Sequence, residues 1–133
     1  MDMALLDNPL RLIASTETDP VFNLVLEEML FRNRGAEHII LTYVSEPSVV
    51  IGRNQNPWTE CDLDWLASKR IPLLRRLSGG GTVYHDLGNL NYCFITAREH
   101  YSQTACLKIV VDLLASLSVH ARICDRFSIW NRD

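Results

Sequence analysis

Lysine is nearly absent from this 133-residue chain: Lys69 and Lys108 stand alone, and the other eleven cationic side chains are arginines. Chemistry that needs a side-chain amine therefore has only two candidates. Thirteen Lys plus Arg against sixteen Asp plus Glu leave a formal net charge of -3 with no basic block, which argues against a chain built to coat nucleic acid. No apolar run approaches the roughly 20 residues that cross a bilayer, and the opening MDMALLDNPLRL lacks both the cationic start and the apolar core of a signal peptide. Neither secretion nor a membrane partner is expected. Cys61, Cys93, Cys106 and Cys124 sit at wide spacings with no C-x-x-C and no paired histidines, so no zinc knuckle or redox motif is supported. A reduced, buried set in a reducing compartment is expected instead. What the chain does have is 47% apolar and 22% charged residues, enough for one globular domain or part of one.

Asp19 as N-cap, Pro20 at the first helical position and apolar Phe22, Val25, Leu26, Met29 and Leu30 predict an amphipathic helix from Asp19 to about Arg34, ended by Gly35. Strand-forming residues run from His38 to Val44 and from Ser48 to Ile51 around a Ser45-Glu46-Pro47 turn, which predicts a strand pair. A shorter helix is expected from Asp62 to Lys69. Leu73 to Arg76 and Asn89 to Thr96 look like strands bracketing the one dense glycine run, Gly79-Gly80-Gly81, with Gly88 at a second turn. Cys106, Ile109, Val110, Leu113, Leu114 and Leu117 have the spacing of a buried helical face, and Val119 to Cys124 follows as a strand. The order α-β-β-α-β-β-α-β, with no repeat or linker, points to a single α+β domain. Phe127, Ile129 and Trp130 begin another strand just before Asp133, so a truncated domain is expected.

The segment Arg75-Arg76-Leu77-Ser78-Gly79-Gly80-Gly81-Thr82-Val83-Tyr84-His85-Asp86-Leu87-Gly88-Asn89 concentrates the chemistry. Glycines let backbone N–H groups approach an anion, and the preceding arginines can bring bidentate positive charge to a carboxylate or phosphate. A plain glycine-rich hairpin with exposed arginines explains the same residues. The pattern is neither GxxxxGK[ST] nor GxGxxG. His85 is read first as a hydrogen-bonded structural residue, and neighbouring Asp86 cannot share its strand face. Gly52-Arg53-Asn54-Gln55-Asn56-Pro57 gathers polar donors where a strand meets a loop, or is simply an Asn-Pro turn that starts the next helix. Asn23, Glu27 and Glu28 are candidates to face a site, although Glu28 is better placed to pair with Arg32 on a solvated face.

Three segments taken together, DPVFNLVLEE, SVVIGRNQNPWTEC and RRLSGGGTVYHDLGN, in this order between Asp19 and Asn89, resemble the lipoate-protein ligase and lipoyltransferase family. The resemblance implies an α+β fold of mixed sheets with outer helices, like the catalytic domains of biotin-protein ligases and class II aminoacyl-tRNA synthetases. It implies that residues 1–133 are the N-terminal portion of such a domain. The implied reaction joins ATP and lipoate into lipoyl-adenylate and passes the acyl group to a lysine of a lipoyl domain, with Mg2+ as the family's metal. By motif correspondence Arg76, Ser78, Gly79, Gly80, Gly81, Thr82, Val83 and His85 would hold the acyl-adenylate. Leu24, Tyr43 and Asn91 would wall the lipoyl chain, whose methylenes gain about 0.8 kcal/mol each on burial. No residue is assigned to a metal.

The sequence departs from the family near its end. A complete member carries a K-x-S-G-x-A motif beyond the last helix, and neither Lys69 nor Lys108 corresponds to its lysine. No catalytic residue is therefore assigned within the chain, and the family's Asp position falls on Ser128. The expected partners are lipoyl domains of 2-oxoacid dehydrogenase complexes or the glycine-cleavage H protein, and a complementary C-terminal ligase segment. Two alternatives stay open: an ATP-independent lipoyl or octanoyl transferase, and a non-catalytic acyl- or adenylate-binding fragment. A cytoplasmic location is favoured, with the mitochondrion as the alternative.

Overall fold

The computed structural model describes residues 8–124 and 129–131. These fall into two compact units, one centred on Leu10–Ile95 and one that includes the residues from Thr96 onward.

The larger unit begins with strand β1 (Leu10–Ala14), helix α1 (Pro20–Asn33) and strand β2 (His38–Val44). Strands β1 and β2 pair in parallel, Leu12 opposite Ile40, so α1 is the crossover that parallel pairing requires. Asp19 caps α1 by accepting from the Val21 and Phe22 amides at 2.7 and 3.1 Å, with Pro20 as the first helical residue. Strand β6 (Leu90–Ile95) pairs antiparallel on the other side of β2, placing Asn91 opposite Tyr43 and Cys93 opposite Leu41.

A second sheet is built on β3 (Ser48–Ile51), all four of whose residues are buried. It pairs in parallel with β4 (Leu73–Arg75) and antiparallel with β5 (Val83–His85). Between β3 and β4 lie the single-turn helix α2 (Pro57–Glu60), capped by Asn56, and α3 (Leu63–Lys69), capped by Asp62. Parallel pairing of β3 with β4 makes both strands leave the sheet at the same end. The Gly52–Gln55 turn and the glycine run therefore emerge side by side.

The smaller unit contains a 3-10 turn (Arg98–His100), α4 (Gln103–Ser116), β7 (Ala121–Ile123) and β8 (Ile129–Asn131), the last two forming an antiparallel pair. Ser102 caps α4 by accepting from the Ala105 amide.

Several expectations change. Strands β2 and β3 are not a hairpin, because they belong to different sheets. The intervening turn is tied elsewhere: the Glu46 amide donates to the Thr18 carbonyl at 2.8 Å, and Pro47 has no N–H to close a ladder. Strands β1 and β5 are additional to the expected order. On α1, Phe22, Val25 and Met29 are exposed, and the inward face instead carries buried Asn23 with half-buried Leu24, Glu27 and Leu30. On α4 the inward face narrows to Cys106, Val110 and Leu114, since Ile109, Leu113 and Leu117 are exposed. The cysteines form no disulfide, but only Cys106 is buried; Cys61, Cys93 and Cys124 are half-buried. Phe127 and Ser128 lie outside the described residues, as do the residues before Asn8.

Candidate functional site

Asn23, one of the residues considered for a site, turns out to hold the frame. Its amide donates to the carbonyls of Glu17 and Val44 at 2.9 and 3.1 Å, and its oxygen accepts from the Ser15 hydroxyl at 2.7 Å. The residue is fully buried, so this network clamps the start of α1 to the end of β2. Glu28 pairs with Arg32 at 2.7 Å on the exposed side of α1, as its i+4 spacing suggested.

The Glu27 carboxylate lies on the inward side of the same helix, and Tyr43 donates its hydroxyl to it at 3.2 Å. Tyr43, Asn91 and Cys93 share one face of the first sheet, because directly paired residues and alternate residues along a strand point the same way. Burial raises the Glu27 carboxyl above its ordinary 4.5, only partly countered by the Tyr43 hydrogen bond, the Arg76 charge and the Cys93 thiol. Burial and the neighbouring Glu27 push the Cys93 thiol up to about 12 and raise the Tyr43 hydroxyl too, so both stay protonated at neutral pH. One end of the Asn91 side chain, its Nδ2, is buried without a hydrogen-bond partner, while its oxygen accepts from Asn89 at 3.0 Å. Leu24, Val25 and Glu27 of α1 face Leu74, Arg76 and Leu77 across a cavity of about 160 Å³. Of the three expected lipoyl-wall residues, Leu24 lines that cavity, while Tyr43 meets it through Glu27 and Asn91 lies beside Tyr43.

The glycine run is organised from within by Arg76. Its Nε and Nη2 donate to the Gly79 carbonyl at 3.1 and 2.7 Å, Nη2 also to the Gly81 carbonyl at 2.7 Å, and Nη1 to the Val50 carbonyl at 3.3 Å. Because a trans peptide sets its C=O and N–H in opposite directions, the Gly80 and Thr82 N–H groups point away from the guanidinium. Gly80 has a φ of +96°, and a Cβ there would come 2.8 Å from Arg76 Nη2. Gly79 and Gly81 differ: a Cβ at either would meet nothing within 4 Å, and neither has a positive φ. Their side of the loop is open space.

The neighbouring Gly52–Gln55 turn interlocks with this loop. A Cβ at Gly52 would fall on the Gly80 carbonyl oxygen and 3.1 Å from its carbon, so only glycine allows the two backbones to approach. The Arg53 amide donates to the Ser78 carbonyl at 2.9 Å. Gln55 Oε1 accepts from the Gly52 amide at 2.8 Å and lies 3.1 Å from the Thr82 hydroxyl, which is also 3.2 Å from a Glu60 oxygen. Arg75 closes the turn, its Nη1 donating to the carbonyls of Gly52, Arg53 and Gln55 at 3.1, 3.0 and 2.7 Å. Both arginines are thus held by neutral carbonyls. Among the described residues neither forms an ion pair, and Glu27 is the carboxyl that feels the Arg76 charge.

Ser78, Gly79, Gly80, Gly81 and Thr82 form one loop with Arg76, while Val83 and His85 lie on the following strand with their side chains on the same face. Burial and the Arg76 charge both lower the basicity of His85, leaving a neutral imidazole at pH 7. Asp86 turns away to accept from the Gly88 amide at 2.9 Å. Glu27, Gly52, Gln55 and Arg75 had only local signals in the sequence; their partners lie far along the chain. Among the described residues no group of three His, Cys, Asp or Glu side chains could hold a metal, and no helix is long and apolar enough to cross a membrane.

This geometry can be set beside known proteins. Residues 19–133 match the model of the lipoyl protein ligase A/B catalytic domain. A lipoate-protein ligase A from Blochmanniella floridana is 42% identical over 119 residues, covering 89% of this chain and 35% of the relative. The crystal structure of Plasmodium falciparum LipL1 in complex with lipoate superposes with a TM-score of 0.85 at 28% identity, over 93% of this chain and 41% of that one. A crystal structure of lipoate-protein ligase A bound with ATP gives 0.72 at 32% identity, over 86% and 49%. The chain therefore spans about a third of the length of the curated relative.

Proposed function

The chain belongs to the lipoyl protein ligase A/B catalytic-domain family, and we propose that it supplies the acyl-adenylate site of a lipoate-protein ligase. The observation that carries this reading is the Arg76 guanidinium, held by neutral carbonyls and in no ion pair among the described residues, beside glycines with open space at Gly79 and Gly81. In the proposed reaction a lipoate carboxylate oxygen attacks the α-phosphorus of ATP, pyrophosphate leaves, and lipoyl-adenylate forms. An acceptor lysine amine then attacks the acyl carbonyl and AMP leaves. Carboxylate and triphosphate repel each other, so the site must hold two anions together. The fixed charge of Arg76 and the N–H groups of Gly80 and Thr82 suit that task, and Ser78, Val83 and neutral His85 complete the rim. The cavity beside Leu24 and Glu27, with Tyr43 and Asn91 behind it, would take the apolar acyl chain.

Mg2+ would arrive on the phosphates of ATP, and no residue of this chain is assigned to it. The lysine of the family's K-x-S-G-x-A motif would come from a further segment. Lipoyl domains of 2-oxoacid dehydrogenase complexes or the glycine-cleavage H protein are the proposed acceptors. Four cysteines without a disulfide suit a reducing compartment, and we place the protein in the cytoplasm, with the mitochondrion as the alternative.

Gly79→Ala and Gly81→Ala test the reading directly. Each should leave the melting temperature unchanged and weaken binding of a non-hydrolysable lipoyl-adenylate analogue, measured by calorimetry, by about tenfold or more. Unchanged affinity in both variants, or no binding by the parent chain, would reject the site.

A further inference from the structure

We propose that Arg75 is a positioning residue: it sets the glycine loop through the Gly52–Gln55 turn and does not itself bind the anion. The inference rests on the adenylate-site reading for its consequence, but its geometry is independent of any ligand. Three carbonyl oxygens, those of Gly52, Arg53 and Gln55, converge on one nitrogen of Arg75 at 3.1, 3.0 and 2.7 Å. Converging carbonyl dipoles repel one another, so the turn needs a cation at their focus to stay closed.

The closed turn is in turn the seat of the glycine loop. It contributes the Arg53 amide to the Ser78 carbonyl and the Gln55 oxygen beside the Thr82 hydroxyl, and the bare Cα of Gly52 packs against Gly80. Removing the cation would let the turn open and carry all three supports with it. The adjacent arginine works differently. Arg76 spreads three nitrogens over the carbonyls of Val50, Gly79 and Gly81 on two elements, which only a planar fork can do. Arg75 uses a single nitrogen. An ammonium group, with three N–H donors for three carbonyls, meets that demand, so lysine should replace Arg75 and should not replace Arg76.

The test uses the full chain, with a non-hydrolysable lipoyl-adenylate analogue as the probe and the amide NMR shifts of Gly79, Gly80 and Gly81 as a ligand-free readout. Arg75→Met should displace the glycine shifts and weaken binding by about tenfold or more, the loss expected when charge-assisted hydrogen bonds go. Arg75→Lys should restore both to near the parent values, whereas Arg76→Lys should not. Millimolar guanidinium should return the Arg75→Ala shifts toward those of the parent. A simple anion-binding role for Arg75 would move affinity without moving the ligand-free shifts. Native shifts in Arg75→Met would overturn the inference, as would Arg75→Lys failing as badly as Arg75→Met. If the methionine and alanine variants do not fold, Arg75→Lys decides: displaced glycine shifts in it refute the proposal, and native shifts with retained binding support it. If the parent chain does not bind the probe, the adenylate reading fails, while the glycine shifts still decide the positioning role.

Discussion

Gly52→Ala is the sharpest test of the interlocked loops. The new methyl group would land on the Gly80 carbonyl oxygen, with the carbonyl carbons of Gly80 and Gly79 at 3.1 and 3.3 Å. These are backbone atoms, so no rotamer change relieves the overlap, and the two loops must part by about an ångström to reach ordinary contact. Parting stretches the Arg53–Ser78 bond of 2.9 Å and the Gln55–Thr82 contact of 3.1 Å. Two weakened hydrogen bonds at about 1 kcal/mol each, plus an overpacking cost of about 1–3 kcal/mol, give a destabilisation of about 3–5 kcal/mol. For a chain of this size that corresponds to a melting temperature lower by about 10 °C or more. Differential scanning calorimetry on Gly52→Ala is the assay, with Gly35→Ala as control, since a Cβ at Gly35 meets nothing within 4 Å. The control should melt within about 2 °C of the parent. If Gly52→Ala melts with the control, the loops are not packed as described and the reasoning about their mutual support is wrong.

Glu27→Gln should make the protein relatively more stable as pH rises. The folded carboxyl titrates above its ordinary 4.5, so its stabilising contribution is complete below that value and is lost as pH rises through the raised one. Glutamine keeps an acceptor for Tyr43 and does not titrate; thermal melts of both proteins from about pH 4 to pH 8 should diverge, and parallel curves would show that Glu27 is not desolvated. Asn23→Asp should be more damaging than Asn23→Ala, because a carboxylate cannot donate to the Glu17 and Val44 carbonyls and adds a buried charge. Urea unfolding should give a loss of about 2–4 kcal/mol for the alanine variant, and the reverse order would refute the donor role. The sheet face carrying Leu12 and Leu90, exposed by 71% and 65%, should bind the dye ANS, and Leu12→Lys should reduce that fluorescence without lowering the melting temperature. Failure of the parent chain to enhance ANS fluorescence would mean the face is covered.

Short-range signals carried much of the architecture. Asp19, Asn56, Asp62 and Ser102 all cap helices, and each cap depends only on a side chain and amides two or three residues away. The family likewise follows from three local motifs, because loops that cradle an anion need particular residues in an unbroken order. Strand β1 was missed for the opposite reason: LRLIA is short, and its partner β2 lies across a whole helix. Periodicity also misplaced the inward face of α1, since it ranks Phe22 and Val25 above Asn23 and Glu27 on apolarity alone. The true order was set by carbonyls and hydroxyls arriving from elsewhere. The same limit applies at the site. The arginines, the glycines and their spacing are written in residues 75–81, and they establish that a cationic, close-approach loop exists. Only the tertiary fold decided that Arg76 ties the loop to the Val50 carbonyl, that Arg75 closes the turn at residues 52–55, and that Glu27 sits against Tyr43. Those are contacts between segments 16 to 26 positions apart. The two arginine contacts depend on parallel pairing of β3 with β4, and the Glu27 contact on α1 lying over the first sheet, neither of which a local sequence pattern encodes.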